Sequence, residues 1–121
     1  MSNGLVLFAH GSRDPAWAGS LQLLARIAAE RAPGLLVRVA YLEFTEPDLA
    51  TVLDELTAEC GRVSVLPVFW SAGGHVRADL ARLVSEASAR HAGTRIDVLP
   101  TLSELPGLLP FLADTAVRLA R

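Results

Sequence analysis

The stretch Leu5-Val-Leu-Phe-Ala-His-Gly-Ser-Arg13 decides the fold class of this chain. Its first half, Leu5 to Ala9, is a continuous apolar run of the length of a strand, and a polar turn beginning at His10 follows at once. An apolar run without alternation is typical of a strand that is covered on both faces. We therefore expect an inner strand of a parallel sheet, with the turn at its carboxyl end.

Three further apolar runs follow, and stretches with helical spacing separate them. In the first such stretch Trp17, Leu21, Leu24 and Ala28 recur at helical intervals. Repeated strand–helix alternation predicts an α/β fold, a doubly wound four-stranded parallel sheet in the order 2-1-3-4 with helices on both faces. The predicted strands after Leu5–Ala9 are Leu35–Leu42, Arg62–Val68 and Thr94–Leu99; the predicted helices run from Pro15 to about Arg31, from near Glu46-Pro47 to a cap at Gly61, along Val76 to Val84, and from Pro110 almost to Arg121.

Length and composition exclude several classes of protein. The 121 residues support one domain, 1–121, and 51% hydrophobic residues with a net charge of −2 exclude a disordered chain. All eleven basic residues are arginine, which excludes lysine Schiff bases and a P-loop lysine. A pI near 5.9 with scattered charge argues against a nucleic-acid partner, and the single Cys60 excludes a disulfide framework. The apolar run near the N-terminus is too short for a signal peptide or a membrane span, so we expect no membrane partner and a cytoplasmic location.

Polar residues gather at the predicted switch point of the sheet, between the first and third strands. His10 follows the first strand, Glu43 follows the second, and His75 follows the third behind Gly73-Gly74. In doubly wound sheets ligands bind at this place, beyond the carboxyl ends of the strands. Two imidazoles and a carboxylate suit Co, Ni, Fe or Zn and leave coordination positions open. On these residues alone a structural role for either histidine, such as capping a helix, stays an alternative. No GxGxxG motif supports a dinucleotide site.

Three segments of the chain together resemble one known family. His10-Gly-Ser-Arg13, Leu42-Glu43 and Pro67-Val-Phe-Trp-Ser-Ala-Gly-Gly-His75-Val-Arg-Ala-Asp79 are similar to the sirohydrochlorin chelatases, in particular the small CbiX-type cobaltochelatases of class II. The resemblance implies a metal chelatase that inserts a divalent metal, Co²⁺ foremost or Fe²⁺ or Ni²⁺, into sirohydrochlorin or a related tetrapyrrole in cobalamin or sirohaem biosynthesis. It implies that His10, Glu43 and His75 are the metal-binding and catalytic residues, and that no cofactor is needed beyond the substrate metal. Trp70 departs from the aliphatic residue that is common in the family at this position.

The substrate implied by the resemblance carries several carboxylates, and arginine pairs with carboxylates through two parallel hydrogen bonds. We therefore expect a substrate-binding set around the histidines, although a solvated loop charge or a helix cap explains either arginine equally well. Glycines in this set would let the ring approach the backbone closely. The set consists of Ser12, Arg13, Gly73, Gly74 and Arg77.

One four-stranded sheet supplies one wall for a flat macrocycle. Class II chelatases of about twice this length place two such lobes around a cleft, so the resemblance predicts a symmetric homodimer of this chain. A second function stays open on the sequence: a metal- or tetrapyrrole-binding protein of the same fold that does not catalyse insertion.

Overall fold

The computed structural model describes residues 2–121, which form one four-stranded sheet with four α-helices and two short 3-10 turns. In chain order the elements are β1 (Ser2–Ala9), a 3-10 turn (Pro15–Ala18), α1 (Gly19–Arg31), β2 (Leu35–Tyr41), α2 (Leu49–Thr57), β3 (Cys60–Pro67), α3 (Gly74–Arg90), β4 (Arg95–Val98), a second 3-10 turn (Leu102–Glu104) and α4 (Leu108–Ala120). No helix within residues 2–121 is long and apolar enough to cross a membrane.

The sheet is entirely parallel, with the order β2-β1-β3-β4. The predicted fold class and strand order are confirmed. In β1, Val6 lies opposite Arg38 of β2 and Val65 of β3, so β1 pairs along both of its sides. Because all four strands run the same way, the loops after β1, β2 and β3 leave the sheet along one edge, which we call the carboxyl edge.

One face of the sheet is covered by α2 and α3. Its strand residues Val6, Phe8, Val63 and Val65 are completely buried. They pack against the apolar side of α2, which contributes Leu49, Val52, Leu53 and Leu56, and against Leu80 and Ala87 of α3. This face holds the larger part of the core.

Within residues 2–121 the other face is covered by α1 and by the turn Pro15–Ala18 before it, whose Ala18 is buried there. Leu7 and Ala9 of β1 pack with Leu21 of α1, but Leu66 of β3 and Val68, just after that strand, stay half-buried beside them. Helices therefore lie on both faces, as predicted, with less cover on this one.

Helix α4 belongs to neither face. Its main contact within the described residues is with the short turn Leu102–Glu104, and none of its residues is buried. Phe111 is 63% exposed and Leu119 is 76% exposed. An amphipathic helix with its apolar side in solvent is unusual, because such helices normally gain their stability from packing that side.

Several predicted helix boundaries differ from those in the structure. Gly61 does not cap α2, so that prediction is wrong: α2 ends at Thr57, and Gly61 lies within β3. The Thr57 hydroxyl donates to the Leu53 carbonyl (2.7 Å) in the last turn of α2, and Cys60 already pairs with β1, so the strand begins before Gly61. Helix α2 also begins later than Glu46-Pro47, a cis peptide bond, because the Asp48 carboxylate accepts from the Thr51 amide (2.9 Å) as its N-cap.

Candidate functional site at the carboxyl edge

His10 and Glu43 are joined through their backbones where β1 and β2 end. The Leu42 amide donates to the Ala9 carbonyl (2.9 Å), and the Glu43 amide donates to the His10 carbonyl (3.1 Å). Both side chains are exposed. The hydrogen bonding of the two strands thus continues beyond their ends and brings these two residues together.

Gly11 makes this close approach sterically feasible. Its φ of +95° lies in the region that favours glycine, and a Cβ on Gly11 would stand 1.7 Å from the Glu43 carbonyl oxygen. Any other residue there would push the two loops apart. The glycine of the His10-Gly-Ser motif is therefore a requirement of the loop geometry.

Ser12 continues the connection between the two loops. The Ser12 amide donates to the Thr45 hydroxyl oxygen (3.1 Å), and the Thr45 hydroxyl donates to the Ser12 carbonyl (2.9 Å). The Ser12 hydroxyl oxygen accepts from the Asp14 amide (3.1 Å), and the Asp14 carboxylate in turn caps the turn at Pro15–Ala18. Ser12 thus lies at the predicted place and already has a role in shaping the loop.

Arg13 lies over the ring of Phe44, with its guanidinium carbon 4.6 Å from the ring centroid. Phe44 is 58% exposed and has a φ of +64°. This contact is the third between the loops after β1 and β2, following the His10–Glu43 and Ser12–Thr45 contacts.

His75 lies in the first turn of α3, at the same edge of the sheet. Gly73 is the N-cap of this helix, and a Cβ on Gly73 or Gly74 would meet no atom within 4 Å. The two glycines therefore have open space beside their backbone, and the side chain of the next residue, His75, is exposed. An approaching ligand could contact the backbone there.

Phe69 connects the third strand with the first histidine. Its ring centroid lies 5.8 Å from that of Phe8 in an edge-on arrangement and 6.0 Å from that of His10. The next residue, Trp70, is 55% exposed. Aromatic side chains thus stand beside His10 as well as on the loop after β3.

Arg77 supports the loop that precedes α3. Its Nε donates to the Ala72 carbonyl (3.1 Å), while its amide donates to the Gly73 carbonyl (3.0 Å). It also lines a cavity of about 340 Å³ between α3 and the segment after β4, together with Glu104. The structure therefore assigns Arg77 a loop-supporting contact; its predicted role toward a substrate stays a prediction.

Glu43 lines a second cavity, of about 300 Å³, on the side of α2 and α3. Asp48, Asp79 and Arg82 also line it. The pKa of Asp48 is lowered, chiefly because the Thr51 side chain and amide donate hydrogen bonds to its carboxylate. Asp79 and Arg82 form a long ion pair (3.7 Å) within α3. Charged side chains thus lie beside Glu43 in this cavity, together with the apolar Leu49 and Leu83.

Tyr41 ends β2 immediately before Leu42-Glu43 and is almost completely buried. Its hydroxyl has no hydrogen-bond partner among residues 2–121, and burial raises the pKa of this phenol. The ring packs against Trp17 at a centroid distance of 6.1 Å. Tyr41 anchors the end of β2 by packing.

The three predicted ligands do not form a ready-made metal centre in one chain. Within residues 2–121 no three His, Cys, Asp or Glu side chains are grouped closely enough to hold a metal ion together. His10 and Glu43 are neighbours through their backbones, and His75 shares the edge on another loop. The arrangement is open, with exposed donors that a ligand or another chain can reach.

Sequence reasoning missed three residues of this edge: Phe44, Thr45 and Phe69. Thr45 gave a weak signal, because threonine in a turn commonly bonds to backbone. The positions of the two phenylalanines depend on how separate loops meet, and no local pattern encodes that.

A family model described as CbiX matches residues 4–119. The sirohydrochlorin cobaltochelatase of Saccharolobus solfataricus is 30% identical over 100 residues, covering 78% of this chain and 77% of that protein. The sirohydrochlorin cobaltochelatase of Methanocaldococcus jannaschii is 33% identical over 88 residues, covering 72% of this chain and 62% of that protein.

Solved structures show the same fold. A CbiX protein from Marinobacter aquaeolei VT8 superimposes with a TM-score of 0.80 at 27% identity, covering 96% of this chain and 95% of that chain. The sirohydrochlorin chelatase SirB from Bacillus subtilis subspecies spizizenii, in complex with cobalt, superimposes with a TM-score of 0.72 at 19% identity. It is matched over 83% of this chain but only 44% of its own length, so one such unit accounts for less than half of SirB.

Proposed function

Because the chain belongs to the CbiX family of sirohydrochlorin chelatases, we propose that it inserts a divalent metal ion into sirohydrochlorin or a closely related tetrapyrrole. The observation that carries the proposal is the carboxyl edge itself. There a backbone hydrogen bond links His10 and Glu43, and the exposed His75 lies in the first turn of the helix after β3. Exposed nitrogen and oxygen donors at the switch point of a doubly wound sheet suit the capture of a metal from solution.

In this proposal the two histidines and Glu43 first bind the metal ion, and the histidines then accept the protons that leave the ring. Insertion exchanges two pyrrole N–H protons for one M²⁺ ion. Neutral imidazoles of His10 and His75 hold the ion through nitrogen, and Glu43 offsets part of its charge. As the ion passes to the ring nitrogens, the freed imidazoles take up one proton each and release them to water.

We propose Co²⁺ as the preferred metal, because the curated relatives are named cobaltochelatases, with Fe²⁺ and Ni²⁺ as competitors. Imidazole ligands suit all three ions, so competition between the metals decides among them. The reaction then belongs to cobalamin or sirohaem biosynthesis, in the cytoplasm.

The acidic groups of the ring are bound, in this proposal, by the substrate-binding set predicted from the sequence. Arg13 and Arg77 contribute charge, and the Ser12 loop with Gly73 and Gly74 contributes backbone at close range. Arg13 is exposed at the edge. Arginine suits this task because its planar group pairs with carboxylates in a fixed geometry.

We further propose that the functional unit is a symmetric homodimer. Two observations support it: α4 leaves Phe111, Leu119 and other apolar side chains in solvent, and one unit of this fold covers only 44% of SirB. A second copy would cover apolar surface and add a second set of exposed donors to an open edge. Light scattering at micromolar concentration tests this, and a fully active monomer would refute it.

The decisive experiment follows the absorbance of metal-free sirohydrochlorin, under anaerobic conditions, after addition of Co²⁺. We expect wild-type protein to accelerate insertion over the uncatalysed rate, and His10→Ala and His75→Ala each to lower the rate at least about 100-fold. His91→Ala is the matched control, because His91 caps the far end of α3 and its Nε2 contacts Asp54 (2.8 Å).

Binding without turnover would support the other function class. If the wild-type protein bound Co²⁺ or the ring but never exceeded the uncatalysed insertion rate, the chelatase proposal would fail and a carrier role would replace it. Repeating the assay with Co²⁺, Ni²⁺ and Fe²⁺ in competition then ranks the metals.

A further inference from the structure

Phe44 is the one non-glycine residue within 2–121 whose φ is positive. A bulky residue rarely adopts that region, because its Cβ crowds the following carbonyl oxygen. At 58% exposure the ring also gains little from burial. In the protein without a ligand, a phenylalanine at this position is therefore unfavourable both for its backbone conformation and for its exposed ring.

The loop nevertheless holds Phe44 in place from both sides. The Thr45 amide donates to the Glu43 carbonyl (2.8 Å), which spans Phe44 in a three-residue turn. The Thr45 hydroxyl is fixed in turn by its two hydrogen bonds with the Ser12 backbone. Unfavourable conformations that the surroundings enforce in this way cluster at ligand-binding and catalytic sites.

Arg13 completes a flat, charged surface with this ring. Its guanidinium carbon stands 4.6 Å from the ring centroid, so one face of Phe44 carries the cation and the rest of the ring remains exposed. The ion pairs within residues 2–121 involve Arg62, Arg82, Arg90, Arg95 and His91, so Arg13 is left without a carboxylate partner.

We propose that Phe44 is a substrate-binding residue that stacks on the conjugated macrocycle and holds Arg13 against a carboxylate at the rim of that ring. The inference rests on the proposed function and adds a contact that neither the sequence motifs nor the family comparison assigns. The chemistry matches on both counts: a flat π-system meets an aromatic face, and a carboxylate meets an unpaired guanidinium. Phe44 also follows Glu43 directly, so a ring bound there lies beside a proposed metal ligand.

The test measures binding of metal-free sirohydrochlorin by its fluorescence, with no metal present. We expect Phe44→Asn to weaken binding about 5- to 20-fold, because the stacking face is lost. Asparagine tolerates a positive φ, so the same variant should keep the wild-type Tm or raise it by up to about 3 °C. Loss of binding without loss of stability is a combination that a merely structural role would not produce.

Arg13→Lys tests the second half of the pair. Lysine keeps the charge but loses the planar group, so we expect about 3- to 10-fold weaker binding of the ring. Arg26→Lys on α1 is the matched control and should bind like wild type, because Arg26 is exposed away from this edge.

Two results would overturn the inference. If Phe44→Asn bound sirohydrochlorin as tightly as wild type, the Phe44 side chain would make no contact that contributes to binding. If its Tm fell together with its affinity, the role of Phe44 would be structural. Failure of the wild-type protein to bind the ring at all would instead remove the proposed function, so the two failures are distinguishable.

Discussion

The helices cover the two faces of the sheet to different degrees. On the face of α2 and α3, Val6, Phe8, Val63 and Val65 are completely buried. On the face of α1, Leu66 of β3 and Val68 just after that strand are only half-buried. Helix α4, which could have added cover, lies apart with its apolar side exposed.

We call the face of α2 and α3 the closed face and the face of α1 the open face. The closed face holds the larger buried cluster, and in the proposed homodimer the open face would be available for association. The closed face supplies the apolar burial that holds the four strands in register. Helices α1 and α4 leave apolar side chains exposed, among them Leu24, Phe111 and Leu119.

Leu53→Ala should cause the largest loss. Leu53 is completely buried on the closed face, so its truncation should lower the free energy of unfolding by about 2–5 kcal/mol. Leu24→Ala on α1, where Leu24 is 40% exposed, is the matched control and should cost about 1 kcal/mol or less. Urea denaturation measures both. Equal losses would mean that the two faces do not differ.

Gly11→Ala tests the carboxyl edge, where the loops after β1 and β2 come into contact. The added Cβ would collide with the Glu43 carbonyl oxygen at a residue with φ of +95°, so we expect a loss of about 1–3 kcal/mol. Gly73→Ala, where the added Cβ meets nothing within 4 Å, should stay within about 0.5 kcal/mol. If both variants unfold at the same urea concentration as wild type, the close approach of the loops is not a constraint.

Phe111→Ser should leave the dilute protein as stable as wild type, within about 0.5 kcal/mol, because the ring is 63% exposed and the two residues have similar helix propensity. At higher concentration the same change should weaken self-association, which sedimentation measures. A loss of several kcal/mol in dilute solution would contradict this, since it would require α4 to pack within its own lobe.

Asp54→Asn should have a small effect on stability. Asp54 joins the two helices of the closed face, since its carboxylate accepts from His91 Nε2 (2.8 Å) and Arg90 Nη2 (3.0 Å). These contacts, the bond to His91 first, lower the pKa of Asp54 below its usual 3.8. Because the side chain is 48% exposed, we expect a loss of at most about 1 kcal/mol.

The pH dependence of this loss follows from the direction of the pKa shift. A carboxylate whose pKa is lower in the folded state stabilises the fold above its unfolded pKa, and this stabilisation disappears as pH falls through the folded pKa. The difference between wild type and Asp54→Asn should therefore be full above about pH 5 and fade below about pH 4. Urea titrations at pH 6 and pH 3 measure it, and a difference that grows toward acid would contradict it.

The fold was predictable because its signals are local. The apolar run Leu5–Ala9 marked an inner strand, and strand–helix alternation with right-handed crossovers left few possible strand orders. The boundary at Gly61 was missed because glycine is common after helices, yet here pairing of Cys60 with β1 decides where the strand begins. Tertiary pairing outweighed a local preference.

The candidate site was predictable only in part. The turn after β1 and the Gly73-Gly74-His75 segment lie at the carboxyl edge as expected. The contact of Arg13 with Phe44 depends on the approach of two loops, one of which needs Gly11 at a positive φ. The sequence predicted a last helix from Pro110 almost to Arg121, but a helical pattern does not say which surface the helix meets.

The hydrogen bonds that join the loops after β1 and β2 have a consequence for deuterium exchange. The amides of Leu42, Glu43 and Ser12 lie outside the strands, yet each donates to the neighbouring loop or strand. They should exchange as slowly as the sheet itself, while the amides of Ser71 and Gly73 exchange quickly. The loops after β1 and β2 would then be preformed before a metal ion binds, whereas the loop after β3 would adjust when it binds.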